Sequence, residues 1–234
     1  MHFHIVTLFP KAFSSYLGES ILKRAIEDKK IKVSFYNPRD FTKDKFKRID
    51  RPPYAGGPGM VIQAEPVIKA VEAALKRTTN NRQRTTKSNT RIIFLSPSGK
   101  QFTNEYAQKT AKKYKNVIII CGRYEGIDAR VKKVFSAKTG GSANPGGGKM
   151  DEISVGPFVL TGGELPAMMI IDVMSRQIPG VLGNFDSLEE RRVSTSEVYT
   201  RPEVFVHKGK KYRVPKILLS GHQAKIEEWK KRRA

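Results

Sequence analysis

Apolar residues fall into a mostly apolar run at positions 3–9 and short solid runs at 92–95 and 117–121, with an alternating stretch at 31–36. The first run, closed by Pro10, reads as a strand. The runs at 92–95 and 117–121 have the solid apolar character of strands covered on both faces. At 31–36 the alternation puts Ile31, Val33 and Phe35 on one side and Lys32, Ser34 and Tyr36 on the other. Between these runs lie helical patterns: 20–28, with Ile21, Leu22, Ala25 and Ile26 on one stripe, then 64–76 and 104–114. Strands alternating with helices predict an α/β domain built on a mainly parallel sheet.

Residues 153–183 concentrate the most information. An apolar run (Val155, Phe158, Val159, Leu160) leads into Gly162 and Gly163, an acid, a proline and a helix over 165–177. That helix is apolar almost all round, which predicts burial against a core or a partner subunit. Asp172 and Arg176 interrupt it at i,i+4 spacing, as a structural ion pair or as working charges.

Three turns stand at predicted strand ends: LSPSG from Leu95, CGRYEGID from Cys121 and VLTGGELP from Val159. Parallel sheets bind ligands at the carboxyl ends of their strands, so these turns predict a small-molecule site. Residues 37–60 form a long Gly/Pro-rich loop of the kind that carries function. The stretches 77–91 and 136–149 read as a mobile basic insert and a flexible Gly/Ser loop, the latter without dinucleotide or P-loop spacing.

Charge then adds a partner. Forty-four Lys and Arg against 22 Asp and Glu give +22 over 234 residues, a balance suited to nucleic acid. No apolar run approaches the length of a membrane span, and the first residues lack a signal-peptide pattern. The single Cys121, inside an apolar strand, fits a reducing cytoplasm and a buried hydrophobe. One Cys and four scattered His give no metal-site spacing.

Five ordered blocks, FYNPRDFTKDKFKRIDRPPYAGGPGM, LSPSGK, CGRYEGIDARV, SVGPFVLTGGELPAMMIIDVMSRQIPGVLGN and YTRPEV, resemble the bacterial tRNA (guanine-N1)-methyltransferases of the SPOUT superfamily. The resemblance implies a SPOUT-type trefoil-knotted parallel sheet at 1–183, a linker at 184–198 and a small basic C-terminal helical domain at 199–234 that binds tRNA. It also implies a cytoplasmic homodimer using S-adenosylmethionine to methylate N1 of the guanosine just 3′ of the anticodon. Mg²⁺ is linked to the family, but no dedicated carboxylate cage for it is evident in the sequence. Another SPOUT RNA methyltransferase, acting on ribose 2′-OH or another base, and a catalytically silent tRNA-binding homologue remain alternatives.

Carried over by position, the cofactor residues are Leu95, Ser96 and Pro97; Gly122, Tyr124, Glu125 and Gly126; and Val155, Gly156, Pro157, Phe158, Val159, Leu160, Gly162 and Gly163. Arg176 is the arginine implied to steady guanine O6. Where the family commonly has IGDYVL this chain has VGPFVL, so Pro157 and Phe158 replace an Asp-Tyr pair. Ungapped alignment from Arg176 places Arg191 at the family's basic aspartate, and a cation cannot take the N1 proton. Asp186-Ser187-Leu188 matches the Asp-Ser-apolar pattern, making Asp186 the implied general base, with Glu190 and Glu189 behind it. Tyr54 or Phe46 in the long loop is placed to stack on an extruded guanine.

Overall fold

A computed structural model describes residues 1–54, 56–78, 89–135, 149–183 and 197–233. The chain divides into two compact units, Met1–Val181 and Leu182–Ala234. The first is organised on five parallel strands: β1 (His2–Val6), β2 (Lys32–Tyr36), β5 (Thr90–Gln101), β6 (Asn116–Ile120) and β7 (Lys149–Ser154), in the order β2-β1-β6-β5-β7. A separate short pair, β3 (Asp50–Arg51) and β4 (Val61–Ile62), brackets the long loop.

Alternate side chains of the central strands feed two cores, which is why these strands read as solid apolar runs. On one face Phe3, Ile5, Ile93, Val117, Ile119 and Ile153 pack with α1 (Ser14–Leu17), α2 (Ser20–Glu27), α4 (Asn104–Lys113) and α6 (Glu164–Arg176). On the other, Val6, Ile92, Phe94, Ile118 and Ile120 meet α3 (Ala64–Thr78) and α5 (Arg130–Phe135). Thr103 caps α4 by accepting from the Tyr106 amide at 3.2 Å, where the preceding loop turns into the helix.

Three expectations change. The turn at Leu95 does not end its strand: β5 bulges between Leu95 and Lys100, then pairs with β7 again through Gln101 and Ser154. Gly99 permits this, since a Cβ there would lie 2.5 Å from the Ile153 amide nitrogen. Tyr36, expected on the polar side of its strand, is buried, because α3 covers that face too; its hydroxyl meets His4 Nδ1 at 2.9 Å. The helix at α6 is buried along one side only, leaving Leu165 53% and Met169 43% exposed within this unit.

The second unit holds the antiparallel hairpin β8 (Val204–His207) and β9 (Lys210–Arg213), followed by α7 (Lys216–Leu219) and α8 (Gln223–Lys231). A hairpin therefore accompanies the expected helices. None of the unit's described residues is fully buried. The Tyr199 ring lies 6.3 Å from Trp229, and Arg233 covers the Trp229 ring while pairing with Glu197 at 3.4 Å. The expected basic insert at 77–91 is narrower, because Arg77 and Thr78 end α3 while Thr90, buried, and Arg91, paired with Asp151, begin β5; residues 79–88, 136–148 and 184–196 lie outside the described residues.

Candidate active site

The three segments converge where β6 and β7 end and β5 bulges, on the side of a parallel sheet that offers a ligand its place. They enclose a cavity of about 270 Å³. Of the cofactor residues implied by sequence, Leu95, Ser96, Pro97, Gly122, Tyr124, Glu125, Gly126, Val155, Phe158, Val159, Leu160, Gly162 and Gly163 line it. Gly156 and Pro157 do not. Gly156 is buried behind the Phe158 ring, which occupies the space a Cβ would need, and Pro157 is exposed. Sequence reading missed Arg123, Ile153, Ser154, Thr161 and Pro166, which also line the cavity. Their proximity to the named glycines was the available signal.

The second and third turns are tied together by backbone and by charge. The Gly163 amide donates to Gly122 O at 2.9 Å, and Arg123 bridges antiparallel to Gly162. A Cβ on Gly163 would lie 2.7 Å from Cys121 Cα, so only glycine permits this approach. Arg123 Nε donates to Glu164 Oε2 at 3.1 Å and Nη1 to Thr161 O at 3.3 Å, while the guanidinium lies 4.5 Å from the Phe9 ring centroid. Glu164 is 4% exposed and accepts a second bond from Thr7 Oγ1 at 2.8 Å. A buried carboxylate persists when it is paired and hydrogen-bonded in this way, and its place in the first turn of α6 adds the helix dipole.

The long loop fastens to the second turn. Glu125 N donates to Met60 O at 3.1 Å, Ile62 N to Gly126 O at 3.0 Å and Asp128 N to Ile62 O at 2.9 Å. Gly59, at φ +86°, lies where a Cβ would come 2.5 Å from Glu125 Oε1. Tyr124 itself adopts φ +57°, a left-handed conformation costly for a side chain of its size, and it turns the chain toward the cavity. In the third turn, Ser154 Oγ donates to Gly156 O at 2.9 Å and holds the bend that exposes Phe158, Val159 and Leu160.

The lining is mostly apolar with backbone polar groups, one carboxylate and one guanidinium. That composition is the usual one of a small-molecule site. Cys121 lies under the floor, and burial, followed by the nearby Glu164 carboxylate, pushes its thiol well above the ordinary range, so it is no nucleophile. Among the described residues no group of three or more His, Cys, Asp or Glu gathers to hold a metal, and no helix is long and apolar enough to cross a membrane.

Arg176 is not at this cavity. It closes α6, while Gly163 and Pro166 at the opposite end line the cavity, and the rise of ten residues from Pro166 to Arg176 separates them by ~15 Å. On the same helix Asp172 accepts a hydrogen bond from the Tyr16 hydroxyl. Asp186, Glu189, Glu190 and Arg191 lie outside the described residues.

Comparison with known proteins adds a family match. A family model described as tRNA (Guanine-1)-methyltransferase TrmD matches residues 1–234. Proteins named tRNA (guanine-N(1)-)-methyltransferase are similar along nearly their whole length. The one from Caldanaerobacter subterraneus subsp. tengcongensis is 42% identical over 100% of this chain and 87% of its own. That of Clostridioides difficile is 41% identical over 99% and 91%, and that of Campylobacter jejuni subsp. doylei 38% over 98% and 90%.

Proposed function

This chain belongs to the TrmD family of tRNA (guanine-1)-methyltransferases, and from that membership we propose that it methylates N1 of the guanosine immediately 3′ of the anticodon in tRNA. The observation that carries the reading is the meeting of the β5 bulge and the turns after β6 and β7 around one cavity. S-adenosylmethionine, held there, supplies an electrophilic methyl group. The residues suit it: Leu95, Val155, Phe158 and Leu160 would provide an apolar slot for adenine, backbone at Gly122, Gly162 and Gly163 would offer its polar groups to the ring, and Glu125 would be a counter-charge to the methionine ammonium.

The remaining steps fall to the chain's own groups. Guanine N1 carries a proton that must leave before its lone pair can attack, and the Asp186 carboxylate takes it. Negative charge then grows on O6, where a guanidinium is the fitting partner because it stays charged and directs several donors. Arg176 fills that role, and the ~15 Å of α6 between it and Pro166 on the cavity wall argues that it serves the cavity of a second copy. The exposed Leu165 and Met169 on α6 give a homodimer an apolar surface to bury. The strand order β6-β5-β7 and the return of β5 to β7 after its bulge support a trefoil-knotted SPOUT domain. In this reading the enzyme is cytoplasmic, Mg²⁺ has no protein cage among the described residues, residues 184–198 link the units, and 199–234 form the basic domain that grips tRNA.

Nucleoside analysis of tRNA treated with the enzyme and S-adenosylmethionine tests the reaction class. One 1-methylguanosine per tRNA is expected. 2′-O-methylated nucleosides, or cofactor binding without any methyl transfer, would overturn it.

A further inference from the structure

The hairpin β8–β9 carries a surface that the cavity does not explain. Cross-strand register places Phe205 opposite Tyr212 and His207 opposite Lys210, so these four share one face. Phe205 is 57% and Tyr212 48% exposed, with ring centroids 6.3 Å apart. His207 lies 6.4 Å from Phe205 with its plane within 11° of parallel, and Lys210 Nζ sits 5.5 Å from the Tyr212 centroid. Lys210 on this face and Lys208 at the turn supply its charge, Lys211 and Arg213 lie on the opposite face with Val206 and Val204, and no acid occurs from Val204 to Ile226. Two-stranded hairpins gain little from exposed rings, since water reaches both faces. Aromatic rings interleaved with cations are what an unpaired nucleotide binds: bases stack on the rings while phosphates meet the Lys and Arg side chains.

We propose that the Phe205–Tyr212 face of this hairpin is a stacking platform for an unpaired nucleotide of the RNA substrate. This rests on the reading of the chain as a tRNA enzyme, and it adds a second contact in the C-terminal unit, separate from the target guanine. Stacking supplies affinity with little sequence preference, because every base has a π-face. Lys208 and Lys210 set the salt dependence.

Binding of tRNA to the full chain, measured across a salt series, tests it. The double variant Phe205→Ala/Tyr212→Ala should bind tRNA roughly 5- to 150-fold more weakly at each salt concentration, with the salt slope unchanged. Lys208→Gln/Lys210→Gln should instead lower that slope by about one per charge removed. Phe205→Trp should keep the affinity, and its emission should change when tRNA binds. Unchanged tRNA affinity in the double alanine variant would overturn the proposal. So would equal loss in Phe205→Trp, which marks a structural role, or loss of self-association, which marks a contact between copies. Binding of wild-type chain to anionic vesicles that the alanine pair abolishes, with tRNA binding intact, would assign the face to lipid instead. S-adenosylmethionine binding and 1-methylguanosine formation are read in parallel: their absence from the wild-type chain defeats the enzyme reading, whereas a null effect of the alanine pair defeats only the platform.

Discussion

Arg123 and Glu164 lie on two different turns and meet at 3.1 Å at the edge of the cavity, the carboxylate buried and the guanidinium also donating through Nη1 to Thr161 O. The pair closes the gap between the second and third turns, while Thr7 at the end of β1 holds the other carboxylate oxygen at 2.8 Å. One acid therefore links the sheet, the cavity wall and the start of α6.

Removing that acid strands two donors at once. Glu164→Ala should destabilise the chain by ~1–3 kcal/mol, the cost of leaving buried hydrogen-bonding groups without partners, and partial exposure of Arg123 keeps the figure in that range. Denaturant unfolding measures it. S-adenosylmethionine KM should rise more than kcat falls, because the loss is in holding the two turns together.

Gly163 permits a close approach of two backbones, and Gly163→Ala places a methyl group 2.7 Å from Cys121 Cα. Backbone, unlike the end of a side chain, cannot swing aside. Calorimetric titration with S-adenosylmethionine should show weakening of at least tenfold. Gly59→Ala, which meets the flexible Glu125 carboxylate as well as an unfavourable φ, should lose less of that affinity.

The amino-terminal end of the sheet predicts a pH effect. His4 is fully buried on β1, with Nδ1 facing the Tyr36 hydroxyl at 2.9 Å and Nε2 facing Asn116 Oδ1 at 3.4 Å; His2 lies beside it and Lys32 and Arg77 are nearby. Burial first, and then the neighbouring Arg77 and Lys32 charges, lower its pKa to about 4 despite the bond to Asn116, which raises it. Above pH ~6.5 the ring is neutral in folded and unfolded chains alike, so it exerts no drag. As pH falls from there toward 4 the unfolded chain takes up a proton that the folded chain refuses, and stability drops, by roughly 3 kcal/mol in total for this one group. Stability measured from pH 7.5 to 4 should fall more steeply for the wild type than for His4→Gln.

Arg176 tests the arrangement of two copies. Arg176→Ala and Gly163→Val should each be inactive alone, while a mixture of the two, unfolded and refolded together, should regain methyl transfer if each site takes its arginine from the opposite copy. No recovery, with mixed dimers demonstrated, would place the arginine in its own chain's site. Asp186→Asn in the same assay should lose roughly 10²–10⁴-fold in kcat, the usual worth of a general base.

Much of this architecture was legible in the sequence because two-sided burial writes itself as solid apolar runs, as at Ile118, Ile119 and Ile120 on β6. The turns were legible because close backbone approach demands glycine. Strand β7 escaped notice because KMDEIS looks like surface. Its charges are satisfied by neighbours that only the fold supplies: Asp151 by Arg91 and the Tyr106 hydroxyl, Glu152 by Lys132 at 3.1 Å. Tyr36 misled for a related reason, since its polar end has a buried partner in His4, 32 residues away. Arg123 was passed over because its role depends on Glu164, 41 residues on. The separation of Arg176 from the cavity followed from helix length alone, yet it became visible only once Gly163 and Pro166 were placed on the lining.

The central claim is that the cavity between the three turns delivers a methyl group to one guanosine beside the anticodon. Transfer of labelled methyl from S-adenosylmethionine should be measured on two tRNA transcripts that differ only at the position 3′ of the anticodon, guanosine in one and adenosine in the other. The account predicts stoichiometric label on the first and background on the second. Equal labelling of both transcripts, or of neither, would contradict it.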